Sequence, residues 1–123
     1  MSDDPSATSG VVPPPPPPPT IHEAEPAPGP SGTVLRGAEI DFALAMARRQ
    51  QGKDLVVCGD SLADNPALAA AIEAAVGPRT GPQKPHTQAG PHALPHFHQQ
   101  TRSPGGHCLY ETGNPRKKAR RRP

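Results

Sequence analysis

Aromatic residues are nearly missing from this chain. Tryptophan is absent, and Phe42, Phe97 and Tyr110 are the only other aromatic rings besides histidine. So thin an inventory excludes a large aromatic core and argues against a reader of single-stranded nucleic acid that stacks base after base. Cysteine is almost as scarce. Cys58 and Cys108 stand alone, far from the dense framework of a small secreted scaffold, and two free thiols in a reducing compartment are expected. No apolar run approaches the length of a membrane span. The N-terminus lacks both a basic n-region and an apolar h-region, so a cytoplasmic location and no membrane partner are the expectation.

Proline and glycine are abundant instead. Twenty prolines and twelve glycines make up more than a quarter of the 123 residues, a level that signals low-complexity sequence around a small folded part. The first 35 residues hold four acidic side chains and no basic one, and include seven consecutive prolines after VV. Such a run fixes φ and removes every donor, and predicts a polyproline II rod. Residues 1–35 therefore read as a disordered, proline-rich acidic arm. Residues 36–112 balance seven basic against seven acidic side chains and read as one small domain. Residues 113–123 read as a disordered basic tail, with Arg116, Lys117, Lys118, Arg120, Arg121 and Arg122 as candidate phosphate contacts.

Within the domain, GAEIDFALAMARRQQ (37–51) has the apolar spacing of an amphipathic helix. Ile40, Ala43, Leu44 and Ala47 form the stripe, with Phe42 and Met46 beside it. Gly52 stands where a helix-terminating glycine belongs. DLVVC (54–58) reads as a buried strand. Asn65-Pro66 predicts the start of a second helix, with Leu68, Ile72 and Val76 on one face and Gly77-Pro78 as its stop. Residues 77–95 show no periodicity and predict a long loop. HFHQQ, the SPGG turn and HCLYET predict a closing hairpin. The fold class is α+β: two helices and a small antiparallel sheet of about three strands.

Four of the six histidines lie between His86 and His98, and His107 opens the last patterned segment. His86 and His92 sit in the Pro/Gly loop and read as passive. His96 and His98 alternate onto one face of their strand. With His107 or Cys108 they could supply three or four ligands to a tetrahedral zinc ion. Alternatively, His98 and His107 flank the hairpin and could face each other as an acid–base pair. RNA cleavage suits that pair, because the nucleophile already sits in the substrate. Arg102 and Tyr110 are near enough in sequence to assist at the phosphate. A noncatalytic module that binds metal through histidine, or nucleic acid through the tail, is the competing reading. Two strand registers remain open. One turns Phe97, Cys108 and Tyr110 to the core and His96, His98, His107, Leu109 and Glu111 away. The other buries His107 with Phe97 and Leu109.

ARRQQGKDLVVCG, NPALAAAIEAAVGP, GPHALPHFHQ and GHCLYET, in that order, resemble the C-terminal toxin domains of bacterial polymorphic toxin systems, the Rhs-associated type among them. The resemblance covers about residues 36–112. It implies a helix-rich start, then a small sheet carrying histidines, and a metal-independent ribonuclease of barnase-like architecture. On that resemblance His98 and His107 would be the acid–base pair, helped by Tyr110 or Arg102. RNA would be the substrate, a cognate immunity protein the partner, and a target cell the place of action after secretion.

Overall fold

The computed structural model describes residues 14, 15, 17–85, 90–113 and 118–121, with the backbone alone at Arg121. Parts of the proline run, His86, Arg116, Lys117 and Arg122 lie outside the described residues.

The order of elements is β1 (Thr20–Pro26), β2 (Val34–Ile40), α1 (Phe42–Gln50), β3 (Leu55–Cys58), α2 (Asp64–Val76), β4 (His96–Phe97), β5 (Cys108–Tyr110) and β6 (Arg120–Arg121). All the strands join one sheet in the order β4-β5-β3-β1-β2-β6. β1 runs antiparallel to both β2 and β3, and β4 antiparallel to β5. β3 and β5 are parallel, as are β2 and β6. The α+β class stands, but the expected small antiparallel sheet of about three strands does not. The sheet is mixed and twice as wide.

The difference has two sources. β1 lies in TIHEAEP, inside the expected arm, where Glu23, Glu25 and Pro26 lower the strand propensity. Main-chain pairing on both sides holds it, with Ile21 opposite Ile40 on one side and Val57 on the other. β2 takes Gly37–Ile40 from the expected helix. At Gly37 the neighbouring strand approaches so closely that a Cβ would stand 2.8 Å from the Glu23 carbonyl oxygen. The pairing slips between His22 and Ala24 opposite it, which is where a strand glycine marks a bulge. The sheet thus takes in β1 from upstream of the expected boundary at residue 36 and β6 from within the expected tail.

α1 starts at Phe42, where the Asp41 carboxylate caps the Leu44 amide at 2.8 Å. Gly52 follows its end at φ +79. The buried face is not the expected stripe. Ala45 and Arg49 point inward, while Phe42 and Leu44 are each 38% exposed. α2 starts one residue before Asn65, and Asn65 is fully buried, donating to the carbonyls of Gly59 and Glu111 instead of capping. No described helix is long and apolar enough to cross a membrane.

Both helices pack on one face of the sheet, over Ile21, Leu55, Val57, Phe97, Cys108 and Tyr110. Val34, Val56, Cys58 and Leu94 form a second cluster on the other face, with Leu109 and Ala119 against it. β3 is the strand that places fully buried residues in both, which explains its unbroken apolar sequence.

Candidate functional site

Phe97 pairs with Cys108, and His96 with Leu109. The first pair faces the helices, so the second faces away, and the first of the two registers is the one adopted. His98, one residue beyond β4, and His107, one residue before β5, converge with His96. The His96 and His107 rings lie 4.6 Å apart, edge to face, and His98 stands 6.0 Å from each. His98 therefore meets His107 across the loop that contains SPGG, and a third imidazole lies closer still. His96 is only 2% exposed. His98 and His107 are half-buried.

Two acceptors orient the outer rings. Asp54, just before β3, accepts the His107 main-chain N–H at 2.8 Å, and its Oδ1 lies 3.6 Å from His107 Nδ1. The His107 side chain, by hydrogen bonding, holds the Asp54 carboxyl below the usual carboxylate range, against the opposing effect of burial. The His107 carbonyl in turn accepts the Leu55 amide at 3.1 Å. His98 Nδ1 lies 2.8 Å from the Gln99 carbonyl oxygen. A carbonyl only accepts, so Nδ1 carries a proton and Nε2 is left to exchange one.

Beneath the connecting loop lies a polar network with no exposure to solvent. Arg49 is ion-paired to Glu73, both fully buried. Its Nη1 donates to the carbonyls of Lys53 (3.1 Å) and Gly105 (2.8 Å), and Nη2 to those of Gly106 and, as carboxylate, Glu73 Oε1 (each 3.2 Å). Gln99 also turns inward, to the Glu73 carbonyl and carboxylate. Gly106 adopts φ +85, and a Cβ there would meet the Gly52 carbonyl oxygen at 2.7 Å. The residue before His107 is thus clamped from three sides, which fixes where the imidazole emerges.

The cluster borders a pocket of about 290 Å³ on the helix-free face. Ala24 to Ala27, Thr33 and Val34 line it from the β1–β2 hairpin, together with Ala93, Leu94 and Leu109 and the polar side chains of Asp54, His96 and His107. The hairpin and the segment before β4 are tied together. The His92 amide donates to the Ser31 carbonyl at 2.8 Å, and the His92 ring bonds Thr33, a lining residue, at 3.1 Å. Among the described residues no lysine or arginine lines the pocket.

The remaining expected site residues are placed differently. Tyr110 faces the helices, its ring 5.6 Å from that of Phe97 and tilted against it, and burial raises its phenol above the ordinary value. Cys108 is fully buried on that same face, and burial pushes its thiol up. Cys58 is pushed up to about 12, by burial first and then by Glu111. Both cysteines are free, as expected. Among the described residues no three His, Cys, Asp or Glu side chains are arranged to hold a metal ion. Arg102 is exposed on the loop between His98 and His107, at φ 60. Glu111 turns away from the histidines to bind Arg36 and the amides of Gly59 and Ala119. Lys118 and Arg120 are exposed and flank Ala119, whose amide donates to Glu111 just beyond β5, and β6 forms the opposite edge of the sheet from β4.

Asp54, Arg49, Glu73, Gln99 and the Thr33–His92 pair are not among the expected residues. A single sign pointed to one of them: Asp54 sits at the mouth of the most apolar strand, where a carboxylate has no packing role. Comparison with family models, curated proteins and solved structures returns no match.

Proposed function

We propose that this chain is a small ribonuclease of polymorphic-toxin type, cleaving RNA by metal-independent acid–base chemistry between His98 and His107. The observation that carries the reading is the histidine cluster beside the pocket, with His107 braced by Asp54. One imidazole takes the proton from a ribose 2′-OH, and that oxygen attacks the adjacent phosphorus. The other gives its proton to the departing 5′ oxygen, leaving a 2′,3′-cyclic phosphate. Arg102, exposed on the same loop, supplies positive charge to the phosphate. Tyr110 acts through packing, and His96 is a positioning residue behind the pair. Lys118 and Arg120 serve as an electrostatic handle for RNA. As a delivered toxin it would act in the cytoplasm of a target cell and be held in check by an immunity protein.

Purified protein is expected to cleave RNA in the presence of EDTA. His98→Ala and His107→Ala should each lower the rate by roughly 100-fold or more, with unchanged circular dichroism. Activity lost in EDTA and restored by zinc would overturn the scheme in favour of a zinc centre at the same imidazoles. RNA bound but left intact would place the chain among noncatalytic binders.

A further inference from the structure

We infer that the pocket beside the histidines holds one nucleobase of the RNA, so that the phosphodiester lies outside it. This inference rests on the ribonuclease reading. Three observations lead to it. First, the lining is mostly apolar, with Ala24, Val34, Leu94 and Leu109, and among the described residues it includes no lysine or arginine. The Asp54 carboxylate also lines it, beside His107. A phosphate entering this space would lose its hydration without gaining a cation and would face a like charge. An uncharged planar group suits it.

Second, the size fits. Pockets for drug-sized ligands run from about 300 to 1,000 Å³, and this one, at about 290 Å³, matches a smaller ring system. Third, the location fits. His96 and His107 line the pocket, while His98, 6.0 Å from His107, is outside the lining. A base seated against Leu109 would place its ribose beside His107. Its 2′-OH and 3′ phosphate then emerge between His107 and His98, where the proposed chemistry needs them. The half-buried His107 ring supplies a stacking surface that the chain's scarce phenyl rings do not.

The test uses the full chain and five probes: adenosine, guanosine, cytidine, uridine and ribose 5-phosphate. Amide chemical shifts are followed in each titration. At least one nucleoside is expected to shift Ala24, Leu94 and Leu109, and ribose 5-phosphate at the same concentration none of them. Ala27→Trp, which adds a bulky ring at a lining position, should raise the nucleoside Kd at least about tenfold. If ribose 5-phosphate moves these amides as strongly as the nucleosides do, or no nucleoside moves them, the base-pocket assignment is overturned. RNA cleavage is scored separately. Cleavage without nucleoside binding sinks this inference alone. Nucleoside binding without cleavage sinks the ribonuclease reading and leaves the pocket assignment standing.

Discussion

Arg49 occupies a helix position that spacing alone assigns to the solvent side, yet it is fully buried. Its partner Glu73 makes that tolerable, and the carbonyls of Lys53, Gly105 and Gly106 use the rest of its donors. Breaking one half of such a pair leaves an uncompensated buried charge. Arg49→Met is therefore expected to cost about 3–5 kcal/mol in urea denaturation. The double variant Arg49→Met/Glu73→Leu should recover much of that loss, and a double variant no more stable than the single one would refute the account. Asp54 makes a second prediction, in pH. Its folded-state affinity for a proton is depressed by the His107 side chain. The stability it contributes is then present above the unfolded carboxylate value, about 3.9, and is lost as pH falls through the lower folded value. Asp54→Asn should flatten the melting temperature against pH below about 4. An unchanged acid slope would mean the contact with His107 contributes nothing. His96, His98 and His107 were legible as a group, because histidine is uncommon and SPGG marks the turn between them. Their register was not. A period of two permits both facings, and only the helix layer over Phe97, Cys108 and Tyr110 selects one. Asp54 was illegible as a partner because 53 positions separate it from His107.

Among the elements, β1 departs most from its local sequence. It lies between β2 and β3, paired on both edges, although it follows a polyproline run and contains two glutamates. Strand identity here comes from neighbours and not from propensity. Deletion of residues 1–26 is accordingly expected to abolish the cooperative unfolding transition, where a dispensable arm would leave it intact. Deletion of residues 1–13 provides the control, with stability expected to be retained. α1 teaches the same lesson in reverse. Its apolar stripe at Ala43, Leu44 and Ala47 is well formed, but the helix rolls to bring Ala45 and Arg49 inward. A buried ion pair outweighs a stripe of alanines, which carries little transfer energy. β3 was read correctly because an unbroken apolar run leaves one interpretation once both faces are covered.

At the scale of the whole molecule, the two faces of the sheet divide the work. Helices cover one side and hold the core, while the other carries the pocket and the histidines. β5 sits between β4 and β3 and serves both, sending Cys108 and Tyr110 to the core and Leu109 to the pocket. Its parallel partner is β3, with Leu55 opposite Cys108, so closing that ladder joins chain segments far apart in sequence. Translation orders these events. A nascent chain exposes the edge of β3 until Tyr110 leaves the ribosome, and the three imidazoles cannot meet before then. The chemistry-bearing corner is completed only after β5 has been made.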